Sequence, residues 1–415
     1  MVAALESRHA DRLAEAAARL AHHALRGELW EKAARYSRQA ADRTAAMCVD
    51  LEAIDGYRRA LDALTRLPAT KETVREAIDV RLALRAPLWR RGELEPLLEI
   101  FREAEALGTA HGETDRLDAV YSFFLQYYWA KADYARALEY GARCIETGRA
   151  RGDVGLEVTG HYYVGNSHDL QGRFATALEH YRAIVDRLAG KQEHERFGLS
   201  GLPYSGACAL AAQTLMELSD VDGAVKLIEE GERVVLAANH LYSRVPVAIA
   251  RGHFLLHTGP PAAVARAMEP VVAICRENNF AGQTMRALTL LGHAYALDGR
   301  ATEAIPLLEE AIALQERTGA FSNRAWWVRT LGDAYRRAGR LAEAGATART
   351  ALEFATRHGE RPQEAWTEAL LGEIARDEHR PDDARAHLHR AQVLAAELGM
   401  RVLAAEAERQ LLALR

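Results

Sequence analysis

The chain has 415 residues, of which 49% are hydrophobic and 7% aromatic, and its formal net charge is −5 at pH 7. Abundant Ala, Leu, Glu and Arg favour helices over sheets. The charge is small and the basic residues are dispersed, so the sequence gives no electrostatic reason to expect a nucleic-acid or membrane-surface partner. No run approaches the roughly 18 apolar residues that a membrane-spanning helix needs.

The N-terminal segment, residues 1–67, has apolar stripes but no clear repeat. The stripes predict two or three shorter helices between Leu13 and Leu64, ending before Leu67-Pro68, and these helices lead into the rest of the chain. Residues 1–12 include acidic side chains and lack the apolar stretch of a signal peptide. This pattern favours a cytoplasmic protein.

From residue 68 onward a turn recurs at a step of 40 residues. Leu331-Gly332-Asp333-Ala334-Tyr335 is followed by Gly339-Arg340 and then by Glu343-Ala344, and similar stretches lie 40 residues before and after it. The aligned turns are at positions 92, 132, 172, 219, 259, 299, 339 and 379. A second set of Gly and Asn residues, which tolerate the left-handed conformation that ends a helix, keeps the same step. These residues are Gly112, Gly152, Asn239, Asn279, Gly319, Gly359 and Gly399.

Each unit is therefore predicted to be two antiparallel helices, and the repetition predicts a solenoid over residues 68–189 and 207–415. Five residues after most turns the side chain is small, as at Ala304, Ala344 and Ala384. We expect these alanines to be buried where helices touch. We expect no β-sheet.

Residues 190–206 account for the one step of 47 residues, between positions 172 and 219. They show no helical period and are predicted to form a loop on one face of the solenoid. A binding loop and a plain spacer fit this pattern equally well.

The repeat resembles the tetratricopeptide repeat, in the spacing of Leu331-Gly332, Tyr335, Gly339, Ala344 and Ala351. It departs from that family in length, since the usual repeat has about 34 residues. A period of 40 would also suit HEAT repeats, but the Leu-Gly, Tyr and Ala positions favour the first assignment. The expected fold is all-α, a tetratricopeptide-like helical-hairpin solenoid with units of 40 residues.

Nothing in the sequence indicates catalysis, a cofactor or a metal. The phosphate-binding loop, the dinucleotide-binding glycine motif and the common zinc motifs are missing. The four cysteines are far apart and are expected to be buried free thiols in a reducing compartment. For an enzyme with its site in the groove of the solenoid, the only candidate residues are His293, Asp333 and Glu373.

The tetratricopeptide resemblance implies that the first helix of each unit faces the concave side. On each first helix the positions thirteen, ten, six and three residues before the turn then line the groove. These positions predict a partner-binding groove for a protein or peptide, because Trp and Arg are typical of binding hot spots. The candidates are Trp326, Arg329, Asp333, Arg336, Trp366, Arg376, His293, Tyr162, Asn166 and Trp129. Trp326 and Trp366 could equally well fill gaps between repeats.

Two further expectations concern these groove positions. Arg329 and Asp333 are four residues apart on one helix and are expected to pair when no ligand is bound. The Lys and Asn clamp with which some tetratricopeptide modules hold chaperone C-termini is missing from the matching positions. A chaperone adaptor is therefore not expected.

Longer stretches resemble one group of bacterial proteins. Residues 19–33, 195–203 and 372–375 are similar to the C-terminal helical-repeat region of multidomain adenylate/guanylate cyclase–ATPase signalling proteins. The resemblance covers essentially all of this chain but only the tail of that family. It implies a non-enzymatic interaction and sensing solenoid, with cyclase and ATPase domains as possible upstream partners. In that case Leu13, Leu20 and Leu25 should leave apolar surface uncovered.

The alternative is the sensor region of a tetratricopeptide-bearing transcription activator, which would require a helix-turn-helix segment that residues 411–415 do not provide. The sequence does not identify the ligand or the oligomeric state.

Overall fold

The computed structural model describes residues 2–8 and 13–414 of the chain. Met1 and residues 9–12, which belong to the segment inspected for a signal peptide, lie outside the described residues. Within the described ranges all regular structure is helical and no strand occurs, which confirms the predicted fold class. The helices are α1 Val2–Arg8, α2 Leu13–Arg26, α3 Trp30–Ala46, α4 Asp50–Leu64, α5 Lys71–Ala83, α6 Arg85–Arg91, α7 Leu94–His111, α8 Thr114–Ala130, α9 Tyr134–Arg151, α10 Val154–Leu170, α11 Phe174–Leu188, α12 Pro203–Glu217, α13 Val221–Ala238, α14 Leu241–Thr258, α15 Pro261–Glu277, α16 Ala281–Leu297, α17 Ala301–Thr318, α18 Arg324–Arg337, α19 Leu341–His358, α20 Arg361–Asp377, α21 Pro381–Leu398 and α22 Arg401–Ala413.

The turns between helices keep the step found in the sequence. Every aligned first-helix turn except Gly259 has a positive φ, between +58° at Ala132 and +79° at Gly299. Gly259 has an extended φ of −130° and is followed by Pro260 and Pro261. All seven Gly and Asn residues of the second set also have a positive φ. A left-handed residue at this point lets its own and the next N–H group satisfy the last helical carbonyls, so the sequence signal has a direct structural cause.

Small residues allow the two helices of a unit to approach closely. Ala304, Ala344 and Ala384 are fully buried, as predicted. A Cβ atom added to Gly292 would lie 2.7 Å from Cγ of Leu308. The Gly in the recurrent Leu-Gly pair is therefore required by helix contact within the unit.

The recurrent Tyr connects each unit to the one before it. The hydroxyl of Tyr335 donates to Glu309 at 2.7 Å, and the hydroxyl of Tyr295 donates to Glu269 at 2.8 Å. Both glutamates belong to the second helix of the preceding unit. Arg340, just after the turn, lies 4.4 Å from the ring of Tyr335. These contacts explain why Tyr, Gly and Arg recur together.

The N-terminal segment forms helices α2 to α4, in agreement with the predicted number, and α1 precedes them. A buried ion pair joins this segment to the repeats, since Nε of Arg90 lies 3.0 Å from both carboxylate oxygens of Asp50. Leu20 is fully buried, so the expectation that it would be exposed is wrong, because it packs in a core with Val2 and Tyr36.

The apolar exposure of this segment lies elsewhere, at the turn between α3 and α4. Met47 is 57% exposed and Leu51 is 62% exposed.

The superhelix closes on itself, so that units far apart in sequence touch along a seam. The backbone N–H groups of Phe321 and Ser322 donate to the carbonyl of Ala130 at 2.6 and 3.0 Å. The hydroxyl of Tyr134 donates to Glu360 at 2.6 Å. We call these contacts the seam. Because of the seam, the concave side is enclosed rather than open.

The insertion lies inside the superhelix. Residues 189–202 are not helical, but α12 begins at Pro203, so the predicted loop 190–206 extends four residues too far. Leu199 and Leu202 are buried, and the N–H of Leu202 donates to Oγ of Ser243 at 2.8 Å. The loop therefore packs against α14 and fills part of the concave side.

Other expectations can be compared with the described residues. None of their helices combines the length and apolar character that crossing a bilayer requires. The four cysteines are free thiols, and burial raises the pKa of Cys144, Cys208 and Cys275 to about 12. The search of the same residues finds no group of three or more His, Cys, Asp or Glu side chains that could hold a metal ion.

Candidate functional site

Two cavities lie on the concave side and share a wall. The larger has a volume of about 300 Å³ and is lined mainly by α14, α16, α18, α20 and α22; we call it the C-terminal chamber. The smaller has a volume of about 190 Å³ and is lined mainly by α8, α10, α12, α14, α16 and the insertion; we call it the aromatic chamber. Together they form the groove. The residues on the shared wall are Asp169, Leu170, Gln213, Arg286 and Asn323.

Most residues that the sequence places in the groove line one of these chambers. The C-terminal chamber contains His293, Trp326, Arg329, Asp333 and Trp366. The aromatic chamber contains Trp129, Tyr162 and Asn166. The first helices therefore form the inner wall, as the tetratricopeptide resemblance implies.

Arg336 and Arg376 line neither chamber. Arg336 forms ion pairs with Asp333, Glu373 and Asp377 at 2.9 to 3.0 Å and so links α18 to α20. Arg376 contacts Asp377 at 3.3 Å and Gln410 at 3.3 Å. Their position near the end of the first helix brings them to carboxylates of neighbouring helices, which explains why they do not face the groove.

The expected pair between Arg329 and Asp333 is not formed. Asp333 accepts instead from Arg336 at 3.0 Å and from Arg337 at 2.7 Å. Arg329 donates to Oε1 of Gln363 at 3.3 Å and lies 5.5 Å from the ring of Trp366. Within the described part of the chain Arg329 has no ion pair with a carboxylate. The prediction fails because two arginines one turn further along the helix occupy both oxygens of Asp333.

Three histidines line the C-terminal chamber and two of them have a strongly shifted pKa. Burial lowers the pKa of His253 to about 3 and that of His293 to about 4. Both imidazoles are therefore neutral near pH 7. The ring of His253 lies 5.2 Å from that of Trp326. Nδ1 of His293 is buried without a hydrogen-bond partner among the described residues.

The aromatic chamber combines stacked rings with unpaired polar groups. The ring of Trp129 lies 6.1 Å from Trp89 and 5.4 Å from Tyr163. The indole N–H groups of Trp129 and Trp327 are buried and have no partner within the described structure.

The Asn166 amide is also without a side-chain hydrogen bond among the described residues, although only 7% of this residue is exposed. Such groups are unusual, because buried polar atoms are normally hydrogen-bonded.

Only two charged groups other than tyrosines lie on the wall of the aromatic chamber, Arg286 and Asp169. Arg286 donates to Oε1 of Gln213 at 3.2 Å, and burial lowers its pKa below the usual value. Asp169 accepts from the hydroxyl of Thr214 at 2.6 Å, and burial raises its pKa to about 7. Near neutral pH the lasting charge of this chamber is therefore the guanidinium of Arg286.

Sequence reasoning missed some of the lining. Gln213 and His253 lie six residues before their turns, so the same register that gave His293 and Asp333 could have found them. The contributions of α22 and of the insertion carry no repeat register. No sequence signal could have identified them.

The three candidate catalytic residues all line the C-terminal chamber. Asp333 is held by Arg336 and Arg337, and its pKa is below the usual value because of nearby charges that outweigh burial. Glu373 forms an ion pair with Arg336 at 2.9 Å. These carboxylates are occupied by arginines, so the arrangement suits electrostatic support of the wall better than proton transfer.

Comparison with known proteins agrees with this architecture. Residues 283–357 match the tetratricopeptide repeat family. A search of curated proteins gives no match. The matched stretch lies within the most regular part of the chain and contains much of the wall of the C-terminal chamber.

Three solved structures show the same fold at low identity. A Rap protein complexed with competence and sporulation factor has a TM-score of 0.57 and 12% identity, covering 92% of this chain and 97% of its own. NprR in complex with its cognate peptide NprX has a TM-score of 0.52 and 12% identity, covering 82% and 98%. Aspartyl phosphate phosphatase F from Bacillus subtilis has a TM-score of 0.50 and 10% identity, covering 85% and 91%. The chain is thus a tetratricopeptide-like helical solenoid.

Proposed function

We propose that this chain is a non-enzymatic sensing solenoid that binds a peptide segment in the groove. The observation that carries the proposal is the set of buried polar groups in the groove that have no partner among the described residues, which includes Trp129, Trp327, Asn166 and His293. An unpaired buried polar group costs about 1–3 kcal/mol. A peptide supplies donors and acceptors at regular intervals along its backbone, and so it can satisfy several such groups at once.

The shape of the groove favours a peptide over a folded partner. The seam encloses the concave side, and the two chambers have volumes of about 300 and 190 Å³. An extended segment, which advances about 3.3 Å per residue, can pass through the shared wall from one chamber to the other. The complex of NprR with its cognate peptide supports the proposal by analogy of fold.

The proposed anchors are Trp326, Trp366 and Arg329 in the C-terminal chamber. Trp326 is buried and stacks near His253, whereas Trp366 is half-buried and faces Arg329. Buried aromatic and Arg side chains at the centre of an interface commonly contribute most of the binding free energy.

We propose further that the chain acts as the regulatory tail of a cyclase–ATPase signalling protein in the cytoplasm. The support is the resemblance of residues 19–33, 195–203 and 372–375, and the free buried thiols suit a reducing compartment. The test is genomic and biochemical. If neither an adjoining reading frame nor a co-purifying protein carries a cyclase or ATPase domain, this assignment fails, and peptide binding is unaffected.

Peptide binding is tested by affinity selection from short random-sequence peptides, with bound peptides identified by mass spectrometry. The wild type is compared with a Trp326→Ala/Arg329→Ala variant and with a control, Leu236→Ala/Arg357→Ala, which changes two exposed residues. Circular dichroism checks that each variant is folded. We expect the groove variant alone to lose the selected peptides.

If the folded groove variant retains every peptide, the groove assignment is wrong. The insertion, residues 195–203, then becomes the better candidate for the binding surface.

A further inference from the structure

We propose that the aromatic chamber binds a carboxylate group of the peptide ligand, with Arg286 and Asn166 as donors. The inference rests on the proposed function and specifies the chemistry of one subsite. Arg286 contacts only the neutral Gln213 amide, at 3.2 Å, and has no ion pair within the described residues. A guanidinium that is largely removed from water strongly favours an anionic partner, because charge-assisted hydrogen bonds are roughly twice as strong as neutral ones.

The other groups on the wall are mainly donors. The Asn166 amide is more than nine-tenths buried, lines the chamber and is unpaired within the described structure. The indole N–H groups of Trp129 and Trp327 are unpaired in the same wall, and a small ring rotation would turn either toward the cavity. Burial raises the pKa of Tyr162 to about 12, so its hydroxyl is protonated and available as a donor.

Competing ligand chemistries fit the wall less well. A cation could stack on the aromatic rings, but Arg286 would repel it. A phosphate is usually held by a cluster of arginines, and this wall has a single one. The only acidic group, Asp169, has a pKa raised to about 7 and accepts from Thr214 rather than from Arg286.

A carboxylate can come from the C-terminus of a peptide or from an Asp or Glu side chain. The test therefore uses three random peptide libraries: one with free C-termini and no acidic residues, one amidated with acidic residues, and one amidated without them. We expect enrichment from one of the first two and not from the third, and the enriched library identifies the source. Equal enrichment from the third library overturns the carboxylate subsite but leaves peptide binding intact. No enrichment from any library rejects the proposed function itself.

The selected peptide is then measured by isothermal titration against three variants. Arg286→Gln should weaken binding by about tenfold or more. Asn166→Ala, which removes no hydrogen bond within the protein, should also weaken it. The control Arg276→Gln, on the exposed part of α15 and paired with Glu310, should not.

The decisive comparison repeats the titration with the same peptide after its carboxylate is converted to an amide. If Arg286 and Asn166 hold the carboxylate, the variants lose nothing further with the amide. If Arg286→Gln weakens the amide and the acid by the same factor, Arg286 only supports the wall and the proposal is wrong.

Discussion

Replacing Glu360 with Gln is expected to stabilise the protein above neutral pH. Glu360 is fully buried in the seam, where Oε1 accepts from the hydroxyl of Tyr134 at 2.6 Å and from the N–H of Asn323 at 3.2 Å. Oε2 has no partner among the described residues, and no ion pair is found for this carboxylate there. Burial therefore raises the pKa of Glu360 to about 7.

The magnitude follows from proton linkage. The pKa of about 7 in the folded state lies above the ordinary value of 4.5, so the folded state holds the proton more tightly than the unfolded state. The contribution of this group to stability is full below the unfolded pKa and is lost as the pH rises through the folded pKa. The loss reaches roughly 3 kcal/mol above that range. Gln retains both acceptor contacts and never ionises, so the variant avoids the loss.

The assay is urea unfolding of wild type and Glu360→Gln at several pH values from about 5 to about 9, which spans the folded pKa. The difference in unfolding free energy should grow with pH and then level off. Asp169, whose pKa is also about 7, affects both proteins equally and cancels in the difference. Glu353→Gln, an exposed position on α19, is the matched control and should show no such growth. A difference that is independent of pH would refute the reasoning.

The remaining predictions concern the repeats and the buried histidines. Ala344→Leu should overpack the contact between helices and cost roughly 1–3 kcal/mol, measured by urea unfolding, whereas the exposed Ala342→Leu should be nearly neutral. An unchanged urea midpoint for Ala344→Leu would count against the repeat alignment. His253 has a folded-state pKa of about 3, below the ordinary 6.5, so its contribution to stability is present above pH 6.5 and is lost as the pH falls toward 3. His253→Gln should therefore lose less stability on acidification, as measured by thermal unfolding, and an acid profile identical to that of the wild type would contradict this.

The fold could be predicted because its local determinants repeat. Gly339 and Ala344 recur at a fixed step, and each has a local role, the first in ending a helix and the second in close packing. The same register placed Trp326 and Asn166 in the groove. It failed at Arg336, because a long side chain near the end of a helix reaches carboxylates of the next unit, and spacing alone does not show this.

The seam could not be predicted from the sequence. Ala130 and Phe321 belong to units that are far apart, and they meet only because small rotations between successive units add up to a full superhelical turn. No single unit contains that information. The closure by α22 and the path of the insertion were missed for the same reason, since neither follows the repeat.

The seam and the groove share a residue, and this gives the enclosure a functional consequence. Asn323 lines both chambers, and its backbone N–H donates to the Glu360 carboxylate in the seam. The wall between the chambers is therefore positioned by contacts with the first repeats rather than by its own unit alone. A ligand that binds only the closed superhelix must stabilise the seam by the same free energy with which the seam favours binding. The groove is thus a property of the whole superhelical turn, which explains how a chain of locally packed repeats can present one enclosed site.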